Sequence, residues 1–399
     1  MFKKLGRNIF LLGALSLFND MAADMITPLL PTFLMTLGAG THFLGLMEGC
    51  ANALSNILKL FSGYHSDRLQ NPRQLTVWGY RLCAFTRPLM AIASPGIILA
   101  IRLTDRIGKG IRTSPRDQLL TLSAPKSHWG KAFGVQRAMD HTGALLGPLL
   151  ATFLLSTFAI SYSKLFLLAS IPAILSILVI SPLLQEPSFE KREEKKEKIF
   201  STQGMNKSLK IYLVIIFFAA LSSPSELFLI LKIQELGLSP KHAPLAWLLL
   251  TAFSLIAALL GGALSDKIKP KYIISLGWFF FAVSFFGFSQ SHTLKIAWIF
   301  LVLYGFQAGF VEAAERSIPS LIVQSQFRGT ALGGYYFAYG MALLPASLVF
   351  GYLWTALGSQ KAFLIYALLS FISALVMFFF KSNVEATQNV ISTPLSSQN

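Results

Sequence analysis

Residues 63–68 read Gly-Tyr-His-Ser-Asp-Arg, and 199 residues later residues 262–267 read Gly-Ala-Leu-Ser-Asp-Lys. The triplet Ala-Phe-Gly at 132–134 returns as Ala-Leu-Gly at 331–333, with the same offset. Repetition at one fixed offset indicates that the chain is built from two similar halves. Each six-residue stretch lies between long apolar runs, so it predicts the connection between two helices in its half.

The composition decides what surrounds these helices. Of the 399 residues, 54% are hydrophobic and only 13% are charged. A soluble globular protein carries about 25% charged residues, and a single soluble core stops growing near ~250–300 residues. The composition therefore predicts a membrane protein, and it excludes disordered, collagenous and disulfide-framework classes. Cys50 and Cys83 both lie inside apolar runs and lack the spacing of metal ligands.

Twelve apolar stretches are long enough to cross a bilayer as helices, for which about 20 residues suffice. They lie near 8–37, 43–64, 74–94, 96–119, 129–157, 163–184, 209–236, 243–264, 271–290, 294–320, 328–356 and 360–381. The net charge of +16 is concentrated in every second connection, such as Arg68 and Arg73 after the second stretch. Because cytoplasmic loops carry an excess of Lys and Arg, this asymmetry places both termini in the cytoplasm. It also accounts for the charge without nucleic-acid binding.

One polar segment divides the apolar stretches into two groups of six. Residues 185–208 carry mixed charge, which predicts a cytoplasmic linker. The expected organisation is an all-α membrane protein with a six-helix bundle at 1–184, the linker at 185–208, a second six-helix bundle at 209–381 and a polar cytoplasmic tail at 382–399.

The chain resembles the major facilitator superfamily over nearly its full length. The residues that carry the resemblance are Gly63, Asp67 and Arg68, with Arg73, and their weaker copy around Asp266 and Lys267. The stretch Asp-Arg-Ile-Gly-Lys-Gly-Ile-Arg-Thr-Ser-Pro-Arg-Asp at 105–117 is similar to that of a bacterial subgroup of this superfamily. Glycines on the fifth stretch partly match the pattern of the family's antiporters. The resemblance implies twelve helices in two pseudo-symmetric bundles and secondary transport by alternating access.

The predicted fourth helix carries charges at three- and four-residue steps, which place them on one face. They are Arg102, Asp105, Arg106, Lys109, Arg112 and Arg116. A charge at the bilayer centre costs at least ~2.5–3.5 kcal/mol, so this stripe is expected to face a central cavity or partner charges. Its cationic excess favours an anionic or zwitterionic substrate, because Arg matches a carboxylate or phosphate bidentately.

Charges on the predicted first and fifth helices reach a similar depth. From the combined set we predict substrate binding by Arg102, Asp105, Arg106, Lys109, Arg137 and Asp20. A proton carrier is a carboxylate or imidazole whose proton affinity changes with its access to water. This requirement predicts Asp24, Asp140 and His141 for proton coupling. The alternative is an internal ion-pair network that only holds the bundle together.

Gating and packing residues are predicted from the resemblance and from position. The two loop copies and the cytoplasmic mouth supply the gating candidates Gly63, Asp67, Arg68, Asp266, Lys267, Arg116 and Glu312. Small residues let membrane helices approach closely, which predicts packing of the fifth helix through Gly134, Gly143, Gly147 and Pro148.

These observations predict a proton-coupled secondary transporter for a small anionic or zwitterionic solute, such as a carboxylate metabolite or a siderophore-like compound. We expect a monomer in the bacterial inner membrane, coupled to protons, without nucleic acid, metal or cofactor. The sequence lacks an ATP-binding P-loop and shows no nucleophile–base pairing of an enzyme. Two alternatives stay open: a proton/drug antiporter, which the glycine pattern favours, and a divalent-metal carrier using Asp20, Asp24 and His141.

Overall fold

The computed structural model describes residues 6–69, 71–92, 94–125, 129–185, 206–265, 268–323 and 328–380. Within these ranges the backbone is largely helical and contains no β-strand, so the predicted all-α fold is confirmed. The first half forms α1 (Arg7–Ile26), α2 (Leu30–Thr36), α3 (Thr41–Leu69), α4 (Pro72–Thr86), α5 (Pro95–Leu122), α6 (Trp129–Thr157) and α7 (Tyr162–Leu175). The second half forms α8 (Lys207–Ala220), α9 (Leu227–Glu235), α10 (Ala243–Ser265), α11 (Pro270–Gln290), α12 (Leu294–Ile322), α13 (Arg328–Leu357) and α14 (Ser359–Phe379).

Eight helical segments of the described chain have the length and composition of membrane spans. They are Arg7–Thr36, Ala132–Thr157, Tyr162–Leu183, Pro240–Ala258, Pro270–Gln290, Leu294–Val311, Ala331–Leu357 and Ser359–Phe379. The four other predicted spans correspond to α3, α4, α5 and the interrupted pair α8–α9, which are shorter or richer in polar residues. The count of twelve spans and the cytoplasmic placement of the termini stay predictions. Most of the predicted linker and the whole tail at 382–399 lie outside the described residues.

The two halves repeat one turn in detail. α2 is followed by Gly38 at φ +80°, and α9 is followed by Gly237 at φ +104°. The N–H groups of Gly38 and of the next residue return to carbonyls in the last turn of α2, both at 3.0 Å. The equivalent bonds at Gly237 measure 3.0 and 3.2 Å. A glycine closes both helices because only a residue without Cβ adopts this backbone readily. The 199-residue offset of the sequence repeat therefore extends to this turn.

The halves are sealed together at the end of the bundle that carries these two turns. One buried apolar cluster joins them, with residues such as Leu30 of α2 packed in the same core as Ile230 of α9. Thr32 on α2 also donates its hydroxyl hydrogen to the Gln234 side-chain oxygen on α9, at 2.8 Å. Two further clusters each draw on one half alone, within residues 9–184 and 212–380. The described residues therefore form one shared core at the sealed end and two separate cores away from it.

Backbone contacts between α3 and α13 complete this seal. Gly45 lies so close to the carbonyl of Ser347 that a Cβ at this position would overlap it. A Cβ on Gly49 would lie 2.8 Å from the Leu344 carbonyl oxygen. We call this contact the glycine seam. Small residues are what allow two membrane helices to approach at this distance.

Candidate functional site

A cavity of about 540 Å³ lies between the two halves. One side is formed by residues of α1, α3, the short helical turn after α4, and α5, and we call it the N-terminal wall. The opposite side is formed by residues of α8 to α13, and we call it the C-terminal wall. Charged side chains concentrate on the first wall and aromatic side chains on the second. The position between the halves and the polar lining make this cavity the candidate binding site.

The charged stripe predicted on the fourth helix lies on α5 in the structure, along the N-terminal wall. Five of its members line the cavity: Arg102, Asp105, Arg106, Lys109 and Arg112. Their steps of three and four residues place them on one side of the helix. At one edge of the stripe α5 packs closely against α4, where Gly79 meets both the backbone of Gly108 and the Arg112 side chain. The rest of the stripe borders the cavity.

Arg102 is bound by Glu48 of α3 in a two-pronged ion pair. Its Nε donates to Glu48 Oε1 at 2.7 Å and its Nη2 donates to Oε2 at 3.2 Å. The two residues are 3% and 2% exposed. A parallel pair of charge-assisted hydrogen bonds fixes both side chains, so this arginine is committed to the structure of the wall.

Asp105 is paired with Arg87, which begins the helical turn after α4. The guanidinium lies 2.8 Å from the Asp105 carboxylate and also donates to the backbone carbonyl of Asn19 at 2.8 Å. The arginine therefore ties α1, α4 and α5 together. Because Asp105 accepts this bond, its charge is offset by Arg87.

Arg112 makes a looser set of contacts at the same wall. Its Nη2 lies 3.6 Å from Asp20 Oδ1, and its Nη1 donates to Cys83 Sγ at 3.0 Å. The guanidinium also stacks over the Tyr80 ring, 4.5 Å from the ring centre. Asp20 receives a further hydrogen bond at 3.0 Å from the Asn19 amide. This cation is held mainly by a thiol and a ring, which are weaker partners than a carboxylate.

Two cations of the wall differ from the three arginines Arg87, Arg102 and Arg112 in having no close carboxylate. Arg106 and Lys109 line the cavity, and within the part of the chain that the structure describes neither has a carboxylate within ion-pair distance. The Arg106 Nε is buried and makes no hydrogen bond to any described residue. Asp24 also lines the cavity and likewise has no ion pair among the described residues. A charge without a partner in a membrane protein is costly, which makes these three residues candidates for function.

The C-terminal wall is built from aromatic residues and two carboxylates. Glu315 of α12 accepts hydrogen bonds at 2.8 Å from Trp278 Nε1 on α11 and from the Tyr335 hydroxyl on α13. Glu226 lies where α8 gives way to α9, beside the hydroxyl of Tyr304. Further rings on this wall are Trp247, Phe281, Tyr336 and Tyr339. The wall therefore combines aromatic faces with two carboxyl groups that are bound by these aromatic residues.

The charges on the fifth predicted helix, which is α6 in the structure, do not line the cavity. Arg137, Asp140 and His141 are absent from its described lining. Asp140 is turned into the N-terminal half, where its carboxylate lies 3.7 Å from Arg116 and 4.0 Å from Arg137. Arg137 itself is about half exposed, with 51% of its side chain accessible. The helical rise predicts the depth of these residues, but the direction they face depends on how α6 packs.

Arg116, predicted as a gating residue, belongs to the same buried group. It lies 3.0 Å from Asp117 and donates to the Ser16 hydroxyl at 3.3 Å. Ser16 in turn shares a 2.6 Å hydrogen bond with the Tyr80 hydroxyl. These contacts link α1, α4 and α5 inside one half. Its predicted gating role is therefore not supported by a contact with the other half among the described residues.

The remaining gating predictions fall where the structure gives no description. The surroundings of Gly63, Asp67 and Arg68, residues Asp266 and Lys267, and the side chain of Glu312 all lie outside the described part. Their roles stay predictions.

The predicted packing glycines of α6 divide into two kinds. A Cβ on Gly143 would overlap the carbonyl of Leu17 on α1, and one on Gly147 would lie 2.5 Å from the carbonyl oxygen of Met21. Pro148 is buried next to them. Gly134, by contrast, is exposed, and the described residues leave the space around it open. Close approach of α6 to α1 thus involves the two glycines in the later turns of the helix.

Sequence reasoning missed the part played by Trp278 and the break before Glu226. The run Ser222-Ser-Pro-Ser225 separates α8 from α9. Clusters of Ser and Pro are a recognised sign of an interrupted helix, so the break left a signal in the sequence. Trp278 left none, because a lone Trp in an apolar helix does not reveal whether its N–H meets a carboxylate.

Comparisons with known proteins agree with the fold. The sequence model of the Major Facilitator Superfamily matches residues 12–311 and 212–396. An uncharacterized MFS-type transporter of Methanocaldococcus jannaschii is 32% identical over 388 residues, covering 94% of this chain and 96% of that protein. The fosmidomycin resistance protein of Escherichia coli is 25% identical over 358 residues, covering 85% of each chain.

Among solved structures, a bacterial homolog of the human lysosomal transporter Spinster, described as inward-facing and unoccupied, superposes with a TM-score of 0.76. The match covers 95% of this chain and 97% of that chain at 15% identity, so it speaks for the fold alone. The resemblance carried by the loop residues is thereby confirmed. The chain is a multi-pass membrane protein of a transporter family, and it belongs to the major facilitator superfamily.

Proposed function

We propose that this protein is a proton-coupled secondary transporter that moves a small zwitterionic or anionic organic solute across a bacterial inner membrane by alternating access. Its partners are the solute, protons and the surrounding lipid, and one chain suffices for transport. The observation that carries the proposal is the presence of Arg106 and Lys109 on the cavity wall without a carboxylate partner among the described residues.

The two cations form an anion subsite in this proposal. They lie one turn apart on α5, so a carboxylate or phosphate between them can contact both. The neighbouring cations Arg87, Arg102 and Arg112 are already occupied by protein groups. Each Arg–carboxylate contact with the solute contributes roughly 1.5–3 kcal/mol.

The C-terminal wall supports a zwitterion over a simple anion. Glu226 and Glu315 lie on the side opposite Arg106 and Lys109, where aromatic N–H and hydroxyl groups of the wall bind them. Aromatic faces such as those of Tyr339 and Trp247 attract cationic groups through their electron-rich centres. A solute with an anionic end and a cationic end can therefore satisfy both walls in one orientation.

Asp24 is the proton carrier in this proposal. It lines the cavity near the anion subsite and has no ion pair among the described residues, so its proton affinity responds to water and to bound solute. If the termini are cytoplasmic, the sealed end faces outward and the cavity exchanges solute and protons with the cytoplasm. Asp140 stays a second candidate, although its ion contacts lie inside the N-terminal half.

Calorimetry on the purified protein tests the substrate charge. Three probes of matched size are needed: one zwitterionic, one anionic and one cationic. We expect the zwitterion to bind best, and Arg106→Ala to weaken it about tenfold or more, one decade being ~1.4 kcal/mol. Arg81→Ala is the control, because Arg81 is exposed on α4 and stacks on Trp78. Tight binding of the cation, unchanged by Arg106→Ala, would contradict the proposal.

A second candidate function is the export of antimicrobial compounds. The observation that favours it is the relationship to the fosmidomycin resistance protein, at 25% identity. Expression in a susceptible host distinguishes the two functions. Resistance to fosmidomycin or to lipophilic cations that persists in Arg106→Ala cells would support drug export without the anion subsite.

A further inference from the structure

One face of α4 carries a cation that points away from the bundle. The exposed residues of this face follow one another at steps of three and four residues, as neighbours on one side of a helix do. They are Trp78, Arg81, Phe85 and Leu89, and we call them the outward face of α4. The other side of α4 packs inward, where Gly79 meets α5. Arg81 is absent from the described lining of the solute cavity, so the proposed function makes no use of it.

The contacts of the adjacent residue place Arg81 at membrane depth. The Tyr80 hydroxyl shares a 2.6 Å hydrogen bond with the Ser16 hydroxyl of α1. Ser16 lies in the span Arg7–Thr36, nine residues after its start, which corresponds to about 14 Å at the helical rise of 1.5 Å per residue. The hydrocarbon core of a bilayer is about 30 Å thick. At this level the outward face of α4 therefore borders lipid, and Arg81 is a cation within that face.

The Arg81 guanidinium has an aromatic ring beside it but no counter-charge from the protein. It lies 5.5 Å from the centre of the Trp78 ring. Among the residues that the structure describes, no carboxylate is within ion-pair distance of it. Helical side chains lean toward the start of their helix, and α4 starts directly after α3, at the end of the bundle away from the seal. The guanidinium is therefore directed toward the headgroups of the leaflet at the unsealed end.

A phospholipid phosphate supplies the missing negative charge at this position. A guanidinium binds phosphate through parallel N–H···O hydrogen bonds, and Trp rings are enriched at the level of the headgroups. An anionic lipid leaves the phosphate charge unbalanced, whereas a zwitterionic lipid carries its own cation. From the direction, depth and missing carboxylate of Arg81, we propose that Arg81 and Trp78 bind the headgroup phosphate of an anionic phospholipid. Its alkyl chains then lie along Phe85, one turn deeper on the same face.

Native mass spectrometry with two lipids of different headgroup charge tests this proposal. The protein is reconstituted into vesicles that contain equal amounts of phosphatidylglycerol and phosphatidylcholine with the same acyl chains, extracted with mild detergent, and assayed for bound lipid. We expect the wild type to retain phosphatidylglycerol in preference. Arg81→Gln removes the cation and should lower the retained phosphatidylglycerol about fivefold, a difference of ~1 kcal/mol, without changing the retained phosphatidylcholine. Trp78→Leu should lower it in the same direction.

Lys210→Gln on α8 is the matched control, because it removes an exposed cation that has no ring contact within the described chain. It should retain phosphatidylglycerol as the wild type does. Unfolding midpoints show whether each variant is folded, and Trp78→Leu replaces Arg81→Gln if the latter is not.

Three results would overturn the proposal. The first is a wild type without preference for phosphatidylglycerol. The second is an equal loss in Arg81→Gln and Lys210→Gln, which would reduce the preference to overall charge. The third is a dimer that Arg81→Gln dissociates, which would assign the cation to a second copy of the chain. Since Arg81 lies outside the described cavity lining, each of these results leaves the proposed function as it stands.

Discussion

The carboxylates of the two cavity walls accept hydrogen bonds from different kinds of donor. On the N-terminal wall, Glu48 and Asp105 are each held by a guanidinium at less than 3 Å. On the C-terminal wall, Glu315 is held by the uncharged N–H of Trp278 and the hydroxyl of Tyr335. Removing a charged partner leaves a buried charge without compensation, whereas removing a neutral donor leaves the charge as it was. The N-terminal wall is therefore the more sensitive of the two to single substitutions.

Within the N-terminal wall, the presence or absence of a close carboxylate also distinguishes structural cations from those that can bind a solute. Arg87, Arg102 and Arg112 each have a carboxylate within ion-pair distance, and among the described residues Arg106 and Lys109 have none. Cations on the same wall thus divide into those that hold the wall together and those available to a solute. Side-chain chemistry alone does not reveal this division, since it depends on which acids other helices supply.

The largest effect is expected from breaking the Arg102–Glu48 pair. Glu48→Gln leaves a buried guanidinium without its counter-charge, which costs about 3–5 kcal/mol. The unfolding midpoint in detergent should fall steeply. The double variant Glu48→Leu with Arg102→Met removes both charges and should recover most of the loss, since apolar replacements of buried pairs are often neutral. A single variant as stable as the wild type would show that the wall does not depend on this pair.

The next largest effect concerns coupling. Asp24→Asn removes the only proton-binding group of that side chain, and accumulation driven by a pH gradient should fall at least about a hundredfold, a difference of ~2.7 kcal/mol. Exchange of solute for solute in proteoliposomes should persist. Asp117→Asn, whose carboxylate pairs with Arg116 away from the cavity, serves as the control. Equal loss of both activities in Asp24→Asn would assign the residue to folding or binding.

A moderate effect is expected from a conservative change in the anion subsite. Arg106→Lys keeps the charge but loses the planar fork, so solute binding should weaken about fivefold or ~1 kcal/mol. Calorimetry with the zwitterionic probe measures this, beside Arg106→Ala. Full affinity in the Lys variant would mean that only the charge matters at this position.

The smallest effect on stability is expected on the C-terminal wall. Tyr335→Phe deletes one hydrogen bond to the Glu315 carboxylate, which contributes about 1.5–3 kcal/mol. The unfolding midpoint should shift far less than in Glu48→Gln. A loss as large as that of Glu48→Gln would remove the difference between the walls.

Much of the N-terminal wall could be predicted from residue spacing. A charged stripe in a membrane helix has to avoid lipid, so the spacing of the charges on α5 is enough to predict that the stripe faces the cavity or partner charges. The partner of each charge could not be predicted in the same way. Glu48 and Arg87 come from other helices, and their distances from α5 are set by packing contacts such as Ser55 of α3 against Gly110 and Gly79 of α4 against Gly108.

Residues on α6, the fifth predicted helix, show that depth in the membrane does not predict the direction in which a side chain faces. The helical rise gives the height of Asp140 along its helix, but the carboxylate turns into its own half because Gly143 and Gly147 fix the face of α6 that meets α1. The C-terminal wall was less predictable still. Its tyrosines on α13 carry the same composition as ordinary packing residues, and only their positions around Glu226 and Glu315 distinguish them.

The glycine seam between α3 and α13 has a kinetic consequence. Where two helices meet through interlocked side chains, parting them requires each side chain to leave its hole and find a new rotamer. At Gly45 and Gly49 the contact is backbone against backbone, with no side chain of their own to withdraw. The barrier to separation there comes from lost van der Waals attraction, which declines smoothly with distance. Separation of α3 from α13 at such a seam requires no sequence of rotamer changes. The rate of separation is therefore set by the movement of the helices as a whole.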